Sequence, residues 1–160
     1  MRKTPLVVAA IAAALLVGTL LGPGVSAASS PKHQRITVVA QDSEATFAPA
    51  DFGQAPEPNQ RATEDAPVYR DGHAVGIAET ALTLTRVAGD DVAGLIECSV
   101  ELPEGNILFA GSFHFADLGS GATVPVVGGT AGYAGYTGTV TMVASADASQ
   151  TTLSFDLIKP

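Results

Sequence analysis

The sequence predicts an all-β domain of seven or eight antiparallel strands that closes into a small barrel. From residue 68 onward, short runs of β-branched and aromatic residues alternate with turn signals rich in Gly, Pro, Asn and Asp. No window after residue 28 shows the 3.6-residue apolar period of an amphipathic helix. An open antiparallel sheet of this size would leave two unpaired edges, and closure into a barrel removes them.

The first 27 residues have the pattern of a cleavable export signal. Arg2 and Lys3 give a positive start, an apolar run extends from Leu6 to Leu21, and Val25-Ser26-Ala27 has small residues at cleavage-site spacing. A single membrane-anchoring helix is the alternative, because about 17 apolar residues can marginally span a bilayer. Glycine and proline at 22–24 favour cleavage. We therefore expect a secreted protein with no stable membrane anchor. Removal of the first 27 of 160 residues leaves 133, the size of one domain.

The composition argues against several classes of protein. Sixteen acidic and eight basic residues give a formal net charge of −8, which would repel a polyanion, so we expect no nucleic-acid partner. A single Cys forms no internal disulfide. His33, His73 and His114 lack the spacing of metal ligands, so no metal site is expected. No motif indicates a cofactor.

Residues 28–67 are predicted to hold one strand, Ile36–Ala40, and then a long loop from Asp42 to Ala66. Prolines argue against a continuous helix or a central strand between Ala48 and Val68. These prolines are Pro49, Pro56, Pro58 and Pro67. A loop of this length is commonly a lid over a binding site or disordered. The composition favours disorder, and both alternatives stay open.

Residues 68–160 are predicted to form the remainder of the barrel. The runs 92–102 and 107–116 form a hairpin around the turn Pro103-Glu104-Gly105-Asn106. Apolar and polar residues alternate along both runs, which gives each a buried and a wetter face. The buried face carries Ile96, Cys98, Val100 and Leu102, and Ile107, Phe109, Phe113 and Phe115. The other strands are predicted near 72–85, 122–127, 137–145 and 151–158.

The glycine-rich stretch from Gly128 to Gly138 lacks the Lys and the following helix of a phosphate-binding loop. It also lacks the G-x-G and helix of a dinucleotide fingerprint. The glycines are therefore expected where the backbone takes a positive φ or where another strand crosses closely, with Tyr133 and Tyr136 filling the space beside them.

The same stretch resembles the G-G-T-G-x-Y-x-G-x-x-G signature of the allene oxide cyclase-like barrels, a superfamily shared with plant dirigent proteins and small secreted actinobacterial relatives. The matching positions are Gly128, Gly129, Thr130, Tyr133, Gly135 and Gly138. Two further segments in the same order are similar to the family, Gly72-x-x-Val75-Gly76 and Leu102 to Ile107 followed by Gly111. The resemblance covers about residues 69 to 158. One position departs, because Ala131 stands where the family usually has Gly.

The resemblance implies an eight-stranded, calycin-like antiparallel barrel around an apolar cavity. Members with known activity cyclise or couple reactive small molecules by holding them in one shape and excluding water, with few or no covalent catalytic groups. The resemblance therefore implies an apolar small molecule as the ligand here. If the protein is an enzyme, it is therefore expected to be an isomerase or cyclase. In the plant cyclases an acidic residue on the first strand assists. The first strand predicted here has no acid, and Asp42 and Glu44 lie just beyond it.

The candidate ligand-binding residues are Cys98, Phe109, Phe113, Tyr133 and Tyr136, and no catalytic residue is identified. Cys98 is expected to be a small buried hydrophobic residue rather than a nucleophile. The phenylalanines could line a cavity or fill a solid core, since small barrels do either. Two other functions stay open. One is a lipocalin-like binding protein without turnover, and the other is an extracellular scaffold that forms a homo-oligomer.

Overall fold

The structure, a computed structural model, describes residues 31–50, 52 and 55–160, where it contains nine strands in one antiparallel sheet. The strands are β1 (Lys32–Ala40), β2 (Thr46–Ala48), β3 (Arg61–Arg70), β4 (His73–Ala88), β5 (Asp91–Leu102), β6 (Gly105–His114), β7 (Ala122–Gly129), β8 (Thr137–Ala144) and β9 (Thr151–Lys159). Three short 3-10 segments lie at Asp42–Glu44, Phe115–Gly119 and Ala131–Tyr133. The predicted export signal, residues 1–27, lies outside the described residues.

Eight of the nine strands close into a barrel, which confirms the predicted fold class. The strand order is β1-β9-β8-β7-β6-β5-β4-β3, and pairing of β1 with β3 completes the ring. Closure uses the last residues of β1, with Val39 opposite Tyr69 and Ala40 opposite Val68. The chain then makes a 3-10 turn, and β2 continues along the same edge of β3, with Phe47 opposite Glu64. The edge of β3 is thus covered by β1 and then by β2.

The prediction of a loop from Asp42 to Ala66 is wrong for the part that contains β2 and β3. The prediction fails because it treats Pro67 as evidence against a central strand. Pro67 does lie within the central strand β3, but at a point where pairing requires no backbone N–H. Its carbonyl oxygen accepts a hydrogen bond from the Gln41 backbone N–H at 2.9 Å, so this side of Pro67 faces the gap between β1 and β2. A residue without an N–H is tolerated there, because pairing is interrupted at that point.

The hairpin of β5 and β6 has the predicted alternation, although β6 begins at Gly105, within the predicted turn, and ends at His114. Leu102 is opposite Gly105 at the turn, and Cys98 is opposite Phe109 further along. The inward residues of β5 are buried and their neighbours Glu97 and Glu101 are exposed. The barrel therefore has one apolar inner face and one polar outer face, as expected for an antiparallel sheet with a single core.

One half of the barrel interior is packed solid, and we call it the filled half. It lies toward the β3–β4 and β5–β6 turns, and its side chains are large and at most 2% exposed. They are Val68, Val100, Ile107, Val140, Phe155 and Leu157. Tyr133, also 2% exposed, packs against this core from the glycine-rich segment.

The glycine-rich segment is held at this end of the barrel by backbone contacts. Gly132 N–H donates to the Glu104 carbonyl oxygen at 2.8 Å, and Thr130 N–H donates to that of Asn106 at 2.9 Å. Gly138 has φ +146°, and a Cβ there would overlap the carbonyl oxygen of Asp156 on β9. Close approach of a neighbouring strand therefore explains this glycine, as the sequence predicted.

Candidate functional site

The other half of the barrel interior contains a cavity of about 450 Å³, and we call it the hollow half. Seven of the eight barrel strands contribute to its lining, and β7 does not. The strand β2, the first two 3-10 segments and the residues Phe52 and Ala148 complete it. Most of the lining is apolar, and it includes five phenylalanines. These are Phe47, Phe52, Phe109, Phe113 and Phe115. A pocket of this size and character can enclose a small organic molecule.

Small side chains explain why this half is empty. Five alanines line the cavity at Ala40, Ala66, Ala78, Ala144 and Ala148. Ala66 on β3 and Ala78 on β4 are direct cross-strand partners, so two adjacent positions of the wall carry only methyl groups. The ring of Phe109 forms the boundary with the filled half, where it meets Phe155 edge-on with ring centroids 6.0 Å apart.

Glu64 is a carboxyl group on the inner face of β3, half-buried between Ala62 and Ala66. It lines the cavity directly. Burial, together with the nearby charges of Asp42 and Asp65, raises its pKa to about 7. No hydrogen bond to the carboxylate offsets these effects among the residues that the structure describes. Glu64 can therefore hold or release a proton near neutral pH.

Asp42 is the second acid of the cavity, positioned by the 3-10 turn that follows β1. The hydroxyl of Thr151 donates to its Oδ2 at 2.7 Å, and Ser43 N–H donates to the Ser149 carbonyl oxygen at 3.0 Å. These bonds tie the turn to the start of β9. Burial raises the pKa of Asp42, while the hydrogen bond from Thr151 opposes that shift.

Cys98 lies on the cavity wall beside Thr80, whose hydroxyl donates to Sγ at 3.3 Å. Burial raises the pKa of the thiol to about 12, with a smaller opposing effect from the hydrogen bond. The thiol is thus protonated at neutral pH and is a poor nucleophile. Its position supports the expectation that it packs as a small hydrophobic residue.

The structure brings together three of the five residues that the sequence indicated as ligand-binding candidates. Cys98, Phe109 and Phe113 line the cavity. Tyr133 and Tyr136 lie at the opposite end, where the Tyr133 hydroxyl donates to Glu104 at 3.2 Å and Lys159 Nζ lies 5.5 Å from the centroid of the Tyr136 ring. Ligand binding by any of the five stays a prediction.

Sequence reasoning missed Glu64, which the structure places on the cavity wall. The signal was present, because Ala62, Glu64, Ala66 and Val68 recur with the two-residue period of a strand. The pattern was not interpreted as a strand because Pro67 argued against one. Of the two acids noted after the first strand, Asp42 lines the cavity. Glu44 instead accepts a hydrogen bond from the Tyr69 hydroxyl at 3.3 Å on the surface.

Other kinds of site receive no support from the described residues. Within them, no group of three or more His, Cys, Asp and Glu side chains is placed to hold a metal ion. No helix in that part of the chain has the length and apolar character needed to cross a lipid bilayer. His114 lies on the outer surface, where its Nδ1 is 3.2 Å from a carboxylate oxygen of Asp91.

No family model and no curated protein sequence matches the chain. Solved structures do resemble it. A pyocyanin demethylase aligns with TM-score 0.65 and 22% identity, over 78% of this chain and 99% of that one. An exo-specific intermolecular Diels-Alderase aligns with TM-score 0.63 and 16% identity, over 79% of this chain and 98% of that one.

A pterocarpan synthase dirigent protein aligns with TM-score 0.59 and 11% identity, over 80% of this chain and 84% of that one. At these identities the likeness establishes a shared fold, and function has to be argued from the site. The chain therefore has the barrel fold of a dirigent protein and of Diels-Alderases. This confirms the resemblance at the level of a dirigent-like or cyclase-like barrel.

Proposed function

We propose that the protein binds an apolar small molecule in the hollow half of the barrel and steers its cyclisation or rearrangement without a covalent intermediate. The observation that carries this proposal is the cavity of about 450 Å³ with a mostly apolar lining and two carboxyl groups on its wall. An apolar cavity can hold a flexible substrate in one shape and limit its contact with water. The fold is shared with proteins described as Diels-Alderases and as a dirigent protein, which supports the same chemistry.

The carboxyl group of Glu64 adds proton transfer to this scheme. A group with its pKa near 7 can donate to, or accept from, a bound substrate at neutral pH without a large energetic penalty. Asp42 lies close enough to raise that pKa, so the two acids act together on the proton at Glu64. Cys98 stays protonated and takes no part as a nucleophile.

The test compares binding and turnover in a matched pair of variants. Ala78→Leu places a larger side chain in the cavity, whereas Ala81→Leu makes the same change at an exposed position of the same strand. The readouts are fluorescence of bound N-phenylnaphthylamine and product analysis with an apolar polyene or epoxide. We expect Ala78→Leu to lower both by at least about tenfold, because the added volume removes space for the ligand.

Probe binding and turnover in Ala81→Leu should match those of the wild-type protein. A folded Ala78→Leu variant that binds the probe and converts substrate normally would show that the cavity is not the site. Turnover also separates this proposal from its rival, a lipocalin-like carrier. A carrier would bind the polyene or epoxide and return it unchanged.

We also propose that the protein is exported, on the basis of the sequence pattern of its first 27 residues. Expression of the full sequence with mass measurement of the exported product tests this. The expected product begins at residue 28. A cell-associated product that retains the first 27 residues would argue for an anchor instead.

A further inference from the structure

The cavity has a one-sided distribution of charge. Its ionisable lining residues are the carboxyl groups of Asp42 and Glu64 and the thiol of Cys98. None of the basic side chains that the structure describes lines it. Arg35, Arg70 and Arg86 form ion pairs elsewhere, with Asp156, Glu104 and Asp91 respectively. The interior therefore offers two potential negative charges and no positive charge.

The groups packed around Glu64 leave its charge without a partner. Asp42 on the 3-10 turn and Asp65 on β3 itself are acidic, and Cys98 on β5 is a protonated thiol. The neighbouring strands β2 and β4 contribute Phe47 and Thr80 to the lining, and neither side chain is charged. An ionised carboxylate in such surroundings is costly unless an opposite charge lies beside it.

From this arrangement we propose that the cavity selects apolar molecules that carry a protonated amine and rejects molecules that carry a carboxylate, with Glu64 as the residue that determines the choice. This inference rests on the proposed function, since it names the substrate class of the same cavity. An ammonium group beside Glu64 supplies the missing opposite charge, while the apolar body of the ligand fills the space next to the alanines and phenylalanines. A carboxylate would place a third acidic group in the same enclosure.

The selection has a pH signature. An ammonium group gains most from an ionised Glu64, so its binding expels the proton that Glu64 holds in the empty cavity. Affinity for an amine should therefore rise with pH through the range in which Glu64 loses its proton. A neutral ligand of the same shape has no such requirement, and its affinity should stay constant.

The experiment uses three probes that share one apolar body, namely naphthylmethylamine, naphthylmethanol and naphthoate. Binding to the whole protein is measured by calorimetry near pH 6 and pH 8. At the higher pH we expect the amine to bind at least about tenfold more tightly than the carboxylate, the usual scale of a hydrogen bond between charged groups. Between the two pH values the affinity of the amine should rise about three- to tenfold.

Two variants complete the test. Glu64→Gln removes the ionisable group with little change in size, and it should abolish both the preference for the amine and its pH dependence while the alcohol keeps its affinity. Glu79→Gln removes the same charge from an exposed outward position on β4 and should change neither. This control separates local pairing from the general attraction of an acidic protein for cations.

The outcomes distinguish the two proposals. Binding of the alcohol together with equal affinities for amine and carboxylate overturns the charge selection and leaves the apolar cavity as the site. A preference for the amine that survives in Glu64→Gln overturns the role of Glu64. If none of the three probes binds, both proposals fail.

Discussion

The filled and hollow halves of the barrel are built from the same strands, but a step of two residues along a strand changes what the interior contains. On β3, Val68 belongs to the filled half and Ala66, two residues earlier, lines the cavity. On β5, Val100 and Cys98 are related in the same way. On β9 the same contrast lies four residues apart, between Phe155 and Thr151. In these pairs the residue that lines the cavity is smaller than the residue in the packed core, which leaves unfilled volume at that end of the barrel.

The carboxyl groups of the two halves have different surroundings and opposite pKa shifts. At the filled half, Glu104 accepts from Arg70 at 2.7 Å and from the Tyr133 hydroxyl at 3.2 Å, and the hydrogen bond from Arg70 holds the pKa of Glu104 below its usual value. In the hollow half, Glu64 has acidic neighbours and a raised pKa. The surroundings of Glu104 thus favour its charged form, whereas those of Glu64 disfavour it.

The largest expected contrast comes from removing a phenyl ring in each half. Phe155→Ala leaves a void among close-packed neighbours, and we expect a loss of about 3–5 kcal/mol in the free energy of unfolding. Phe113 already faces the cavity with part of its ring, so Phe113→Ala should cost about 1–2 kcal/mol, because fewer contacts are lost. Urea unfolding of both variants measures the difference. Equal losses would mean that the hollow half is packed as tightly as the filled half.

A second contrast tests the glycines at the end of the filled half. A Cβ at Gly138 would overlap the Asp156 carbonyl oxygen at a positive φ, so Gly138→Ala should destabilise the protein by about 2–3 kcal/mol. Gly128 belongs to the same segment, but a Cβ there meets nothing within 4 Å. Gly128→Ala should therefore be close to neutral. Thermal unfolding of the pair decides whether close backbone approach, rather than glycine content as such, makes the segment necessary.

Side-chain size and polarity explain what could be predicted from the sequence. The hairpin of β5 and β6 was predicted with its buried face, because Val100 of the filled half and Phe109 and Phe113 of the cavity wall belong to one strong apolar alternation. The glycine-rich segment was predicted as a structural element from its backbone requirements. Both features depend on how side chains and backbone pack, and such packing requirements are visible in the order of residue types.

The strand that carries the candidate site was predicted as a loop. On β3 the cavity wall is formed by Glu64 and Ala66, where a packed strand would present Val or Ile. Pro67 weakens the strand signal further, and only the pairing switch from β1 to β2 makes it tolerable. The strand was not predicted because the residues that line the cavity are those that make β3 unlike an ordinary strand.

The smallest expected effect concerns the pH dependence of stability. It measures the free energy needed to ionise Glu64 in the hollow half. The folded protein holds a proton on Glu64 up to a pKa of about 7, whereas the unfolded chain releases it near the ordinary value of 4.5. Because the folded state binds more protons in this window, the free energy of unfolding should fall as the pH rises from about 5 to 8. The fall should be about 1–2 kcal/mol, since the half-buried carboxyl remains partly screened by solvent.

Position 64 cannot titrate in Glu64→Gln, so the stability of this variant should fall less across the window and should exceed that of the wild-type protein near pH 8. Asp42, whose pKa burial also raises, makes its own contribution to the pH dependence in both proteins. The carboxyl groups with lowered pKa, Glu104 and Asp147, add stability that is already complete above their ordinary pKa values, so they contribute no slope between pH 5 and 8. Urea unfolding at several pH values measures both proteins. An identical slope in the two would show that Glu64 is ionised throughout the window, and that the hollow half imposes no cost on its carboxylate.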